Sequence, residues 1–497
     1  MRTIWRSLLW KEWHEHKWKM LSLVAIAVSI PLASLFDGPD TFFLSITSTL
    51  YASAILSALF IGMGVAAGEN ANKTMPFLQA LPVPMWKAGA TKFLLAGVTV
   101  ILPILIVIGL TFLGHQLGGW LGYNFKSMLN LISRNGVEGW YTFHLTSGIL
   151  AALSLLMWVV ASGVNRRDEI RAGAISVLVF VCIWSLIFFA ISRGGQSINP
   201  YLWLQIAVAT APAGPGIIYV NQHTAEFNSL PGWTLALFAC VGHAGLMAWF
   251  LCRFGRTSST TRESRRAAFN TGQQLLWLAP PRHFRLTAIL WKQMRETGSF
   301  VMLGVAVIVG CSMLIYLLSE EPRINGTFSQ ILLGMCGYLG FFIVIVAGIG
   351  VLLDDLKPGL HTFWRSRPIN PDLWFWTKFL TGLTTTAIAL GIPLLLALWF
   401  MPGNFWDIYH ERLIITPALF LSIYCFAVVA MALVRRPVYA AIIAIGLIAS
   451  CFFTIERLLP KSFEFHAGAV CVMAMVLPFL ATLTAWLAVR YDIGYKG

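Results

Sequence analysis

Apolar runs of about 20 residues, separated by short polar stretches, recur along this chain and bound what it can fold into. Twenty helical residues span roughly 30 Å, the thickness of a hydrocarbon core. Backbone crossing that core must satisfy its own N–H and C=O groups, so such runs become helices. Composition agrees. Of 497 residues, 58% are hydrophobic and 11% charged, where a soluble chain carries roughly 25% charged. The predicted class is an all-α integral membrane protein of about twelve transmembrane helices. The expected spans are 20–36, 42–68, 93–114, 144–164, 173–192, 233–252, 299–318, 328–353, 379–400, 414–434, 438–455 and 467–489.

The charges test that set. Every Lys, Arg, Asp and Glu falls outside the spans or at their edges. With the N-terminus placed in the cytoplasm, roughly four-fifths of the 35 Lys and Arg fall on the cytoplasmic side. The reading is a multi-pass protein of the cell membrane, both termini cytoplasmic and no cleavable signal peptide. Basic loops such as 253–295 then account for the net charge of +14 by facing anionic lipid, and no nucleic acid is expected. The eight cysteines lie in apolar runs without a CxxC pair and read as small core residues.

The chain resembles itself at an offset of about 284 residues. Leu9-Trp10-Lys11-Glu12 followed by Glu15 matches Leu290-Trp291-Lys292-Gln293 followed by Glu296. Glu69, Phe77, Pro82 and Thr91-Lys92-Phe93-Leu94 match Asp355, Phe363, Pro368 and Thr377-Lys378-Phe379-Leu380. Arg166-Arg167 and Arg435-Arg436 sit in the same turn of each half. The predicted organisation is a first six-helix half over 1–255, a basic cytoplasmic linker over 256–284 and a second six-helix half over 285–497. Six spans is even, so the halves share one orientation and form a parallel repeat.

Two kinds of segment stand out as built for contact. Each half opens with an amphipathic stretch: Ile4, Trp5, Leu8, Leu9 and Trp13 against Lys11, Glu12, Glu15 and Lys17, then Leu286, Ile289, Leu290 and Met294 against Lys292, Arg295 and Glu296. Tryptophan beside basic residues suits a helix lying in the membrane interface, as a plain anchor or as a connecting helix that carries movement into the bundle. Trp10, Lys11, Glu15, Trp291, Lys292 and Glu296 are its candidate residues. The loops 69–92 and 355–378 are long for a bundle connection. Each runs from an acid through an aromatic and a proline to a lysine at the start of the next span, and Lys92 and Lys378 read equally as snorkelling side chains.

These loops resemble those of the ABC-2 type family of ATP-driven exporter permeases. That family shows an acid ending the second span, a Thr/Leu-rich stretch, a Leu-Pro-Val element and a lysine opening the third. Here the first half reads Glu69, Thr74, Phe77, Leu81-Pro82-Val83 and Lys92. The second departs, with Asp355, Phe363, Arg367-Pro368-Ile369 and Lys378. The resemblance implies coupling helices in both loops that dock on separate ABC ATPase subunits, with two six-helix units fused in one chain. It also implies export, and an outer element between the fifth and sixth spans. Residues 200–209 are too short to cross, and a partial re-entry broken by Pro212 and Pro215 is expected there.

No GxxxxGK[ST] phosphate loop occurs, since the dipeptide Gly-Lys is absent. The chain is therefore not expected to be an enzyme or to hold a cofactor or metal; ATP would bind the partner. His243, alone in the sixth span, reads as a packed, hydrogen-bonded residue. Two rival functions remain: an ion-coupled secondary transporter, disfavoured by the lack of acids at mid-membrane, and a membrane enzyme or scaffold that transports nothing.

Overall fold

The computed structural model describes residues 2–34, 39–72, 74–120, 136–166, 169–193, 202–224, 230–256, 285–294, 298–318, 328–356, 370–400, 406–458 and 476–493. Among them every regular element is a helix, and the chain divides into two compact units, Met1–Arg256 and Thr257–Gly497. Linker residues 257–284 lie outside the described residues.

The first unit holds α1 (Arg2–Ser34), α2 (Pro39–Ala71), α3 (Met75–Ala80), α4 (Met85–Trp120), α5 (Gly136–Gly163), α6 (Glu169–Arg193), α7 (Leu202–Thr210), α8 (Gly214–Thr224) and α9 (Gly232–Arg253). The second holds α10 (Arg285–Gln293), α11 (Ser299–Leu318), α12 (Phe328–Leu356), α13 (Pro371–Trp399), α14 (Trp406–Val434), α15 (Pro437–Leu458) and α16 (Leu477–Arg490). Each expected span overlaps one of these helices. Eight of them are long and apolar enough, by length and composition, to cross a bilayer, and three shorter apolar helices accompany them. This is a multi-pass, all-α membrane protein.

One helix is central in each unit. α2 packs against α1, α4, α5 and α6, and α12 packs against α11, α13, α14 and α15. Small residues permit this crowding: a Cβ on Gly62 would lie 2.7 Å from Val159, and one on Gly348 would lie 2.9 Å from the Tyr424 carbonyl oxygen. Tyr424 in turn donates its hydroxyl proton to the Phe379 carbonyl at 2.8 Å, tying α14 to α13.

The leading segments differ from expectation. In the first unit the amphipathic stretch and the first span are one continuous helix of 33 residues. In the second unit α10 holds the matching stretch, and residues 295–297 between it and α11 lie outside the described residues. The polarity of α1 is also inverted for a helix resting on the interface. Glu12, His16 and Lys19 are buried, while Leu9, Trp10, Trp13 and Trp18 are exposed. Charges face the bundle because partners wait there. Three cysteines also depart from a core role: Cys182, Cys240 and Cys252 are exposed, whereas Cys311, Cys336 and Cys425 are buried.

The stretch after α6 forms a helical hairpin, α7 and α8. Ala211 to Ala213 make the apex, with Ala213 in the left-handed region at φ 62°. Pro212 lies in the break, but Pro215 sits in the first turn of α8, where a missing N–H costs nothing. The apex is well paired: the Trp158 indole donates to the Thr210 carbonyl and the Trp184 indole to the Pro212 carbonyl, both at 3.0 Å, while Ala211 O accepts from Gly214 N. Beside it His243 Nδ1–H donates to Ala239 O at 2.7 Å, leaving Nε2 to accept from the Ser154 hydroxyl at 2.6 Å. Irregular backbone buried among apolar helices needs such donors.

A Cβ on Gly214 would lie 1.7 Å from the Val208 carbonyl oxygen, whereas one on Gly245 would meet nothing within 4 Å. Gly214→Ala is expected to open the hairpin and lower thermal stability in detergent by about 2 kcal/mol or more, while Gly245→Ala leaves it unchanged within about 0.5 kcal/mol. Melting curves of both variants decide this.

Candidate functional site

A lysine near the start of a helix in lipid needs a counter-ion if its side chain turns inward. Lys92 of α4 does turn inward, and only 3% of its side chain is exposed. Its Nζ lies 2.6 Å from Glu12 Oε1 of α1 and 2.7 Å from Glu69 Oε1 of α2. Lys11 reaches the same Glu69 oxygen at 2.5 Å, and Glu15 lies 3.7 Å from Lys11. The result is a buried cluster binding three helices at one end of the unit. Glu12, His16 and Lys19 continue it along one face of α1, with His16 Nε2 3.8 Å from Glu12 and Lys19 3.3 Å from Glu169 of α6.

The loop expected to couple is tied into this cluster. Thr74 donates its hydroxyl proton to Glu69 Oε2 and its backbone N–H to Glu69 O, at 2.9 Å for the latter. Helix α3 follows, with Pro76 in its first turn. Met75 and Leu78 are buried beneath it, and Phe77 stands 66% exposed on its outer side. Gln79 donates to the Gly255 carbonyl at 2.7 Å, fastening α3 to the end of α9. Pro82 lies exposed in the turn between α3 and α4.

The second unit repeats the constellation with fewer members. Lys378 of α13, 1% exposed, lies 2.5 Å from Asp355 Oδ2 of α12, and Lys292 of α10 lies 2.7 Å from Asp355 Oδ1. Lys378 also donates to the Val351 carbonyl at 3.3 Å and stands 5.4 Å from the Trp374 ring. Gln293, at the position matching Glu12, is fully buried. Burial alone would raise the Asp355 carboxyl, but Lys378 and then Lys292 outweigh it and hold the group below its ordinary 3.8. Phe363, Pro368 and Glu296 lie outside the described residues.

Of the residues singled out from sequence, the structure joins Lys11, Glu15, Glu69, Thr74 and Lys92 in one cluster, and Lys292, Asp355 and Lys378 in another. Lys92 and Lys378 do not snorkel. Two facing carboxylates, and one shared carboxylate, hold them inward more strongly than water at the interface would. Trp10 points outward and stacks on His14 at 5.1 Å, and Trp291 is half-buried. Sequence reasoning missed Glu12 and His16 as site residues. Their signal was present: Glu12, His16 and Lys19 fall three and four apart, a charged stripe on one helical face.

Each unit closes similarly at the other turn of this end. Asn165, at φ 61°, donates to the Arg253 carbonyl at 2.6 Å, and Arg435, at φ 58°, pairs with Asp492 at 2.6 Å. Both lie in the turn where the sequence places Arg166-Arg167 and Arg435-Arg436.

Among the described residues no group of three His, Cys, Asp or Glu side chains is placed to hold a metal. Comparisons with protein-family models, with curated proteins and with solved structures find no match.

Neutralising one acid should cost the two clusters differently. Glu69→Gln leaves Lys92 still facing Glu12, whereas Asp355→Asn removes the carboxylate that both Lys378 and Lys292 face. Asp355→Asn is expected to destabilise by about 3–5 kcal/mol and Glu69→Gln by about 1–3 kcal/mol, read from denaturation in detergent. A second expectation concerns pH. Burial, and behind it the charges of Lys19 and Lys92, hold His16 well below 6.5. Below that pH the unfolded chain takes up a proton that folded His16 refuses, so stability falls by up to about 1.4 kcal/mol per pH unit. Wild type minus His16→Gln, measured between pH 7 and 5, isolates that slope.

Proposed function

We propose that this chain is the membrane-spanning permease subunit of an ATP-binding-cassette exporter of the ABC-2 type, powered by a separate ATPase. One observation carries the reading. In each unit an acid at the end of the central helix is buried against the lysine that opens the next long helix and against a lysine of the leading helix.

Such a joint transmits force. A push on α3 in the first unit reaches Glu69 through Thr74, and from Glu69 it reaches α1, α2 and α4 together. Buried charge pairs are stiff connectors, because separating them in a low-dielectric site costs several kcal/mol. Phe77, exposed on the outer side of α3, is the natural contact for the engine. In this reading the ion clusters mark the cytoplasmic end, both termini lie there, and the chain carries two parallel six-helix halves of about twelve spans in all. The helix-packing pattern around α2, recurring around α12, supports that symmetry. Lipid-like or amphiphilic cargo suits a pathway between such apolar helices.

The test uses the chain co-expressed with the ATPases of its host. Phe77→Asp changes only an exposed side chain, so the protein should insert and melt as wild type, yet its yield of co-purified ATPase should drop tenfold or more, about 1.4 kcal/mol. ATP should drive transport in vesicles containing the wild-type complex. Transport that follows an ion gradient without ATP overturns the reading in favour of a secondary carrier.

A further inference from the structure

The buried cluster has an electrostatic consequence for the outside of the first unit. At this end the described acids are drawn inward: Glu12 and Glu69 are buried, Glu169 is paired with Lys19, and Glu15 lies beside Lys11. The exposed remainder is basic. Arg6, Lys87, Arg166, Arg171, Arg253 and Arg256 all face outward, and Lys17 is half-exposed.

Three of these cations stand over tryptophan rings. Lys17 lies 5.5 Å from the Trp18 centroid, Lys87 lies 5.4 Å from Trp86, and Arg253 lies 4.0 Å from Trp249. All three rings are about half-exposed or more. They belong to α1, α4 and α9, and α4 packs against both of the others. The ends are fixed as well, since Phe254 packs where a Cβ on Gly89 would lie 3.1 Å away.

We propose that these three pairs bind anionic phospholipid, with Lys17, Lys87 and Arg253 engaging headgroup phosphates and Trp18, Trp86 and Trp249 sitting at the boundary with the acyl chains. Charge selects the occupant's sign, and the tryptophans select its kind. Indole rings prefer the water–hydrocarbon boundary, where an acidic protein surface or a free phosphate offers no apolar partner. The second unit provides a contrast. Arg490, 5.1 Å from Trp486, lies 3.7 Å from Asp372, so its charge is already answered within the chain. The site does not rest on the transport reading.

The test measures thermal unfolding of the full chain in detergent micelles doped with equal amounts of phosphatidylglycerol or phosphatidylcholine. A ligand that binds the folded state alone raises the melting temperature, and phosphatidylglycerol should raise it by about 3 °C or more over phosphatidylcholine. The triple variant Lys17→Gln, Lys87→Gln, Arg253→Gln should melt as wild type in phosphatidylcholine and lose the extra shift. Arg490→Gln should keep it. Glycerol phosphate or inorganic phosphate should not reproduce it. A full phosphatidylglycerol shift in the triple variant, an equal shift with free phosphate, or no difference between the two lipids overturns the proposal.

Discussion

A lysine held inside a membrane protein is tolerated only when carboxylates meet it there, and most of this architecture follows from that constraint. Lys92 cannot turn inward unless α1 and α2 bring Glu12 and Glu69 to it. Meeting that demand fixes the axial register of three helices at once, because each must present its charged residue at one depth. Lys378 imposes the same condition on α12 and α13, with α10 supplying a second cation instead of a second acid. Breaking such a pair leaves an uncompensated charge, which costs more than the intact pair contributes. The clusters are therefore better understood as fasteners that specify one arrangement than as sources of net stability.

The two units solve the same problem with different inventories. The first has Glu12, Glu15, Glu69 and Glu169 to answer Lys11, Lys19 and Lys92, and it folds its leading segment into one unbroken helix. The second has Gln293 where the first has Glu12, and α10 supplies Lys292 to the shared Asp355. A continuous helix with a charged stripe facing inward is rigid over its whole length. The first unit also carries the hairpin of α7 and α8. Its apex accepts indole N–H donors from Trp158 and Trp184.

The membrane class, the helix positions and the recurrence of an acid and a lysine in each long loop were legible because each depends on local pattern. Apolar run length needs no tertiary information, nor does a recurring acid–aromatic–proline–lysine order. Glu12 and His16 were legible in principle, as members of a stripe at helical spacing, but a stripe does not say which way it faces. Amphipathic residues ahead of a first span ordinarily turn their charges to water. On α1 they turn to the bundle.

What the sequence determined alone, then, was a chain of lipid-spanning helices with two matched acid- and lysine-bearing loops, since hydrophobic thickness and charge placement act residue by residue. What only the tertiary structure decided was direction and partnership: that α1 is inverted, that Lys92 and Lys378 point inward, and that Arg435 meets Asp492. Those outcomes turn on pairs of residues far apart in the chain, such as Lys92 with Glu12 and Arg435 with Asp492. A one-dimensional pattern names the candidates for a pair but carries no information on which of them meet; the low dielectric around them makes that choice nearly all-or-none.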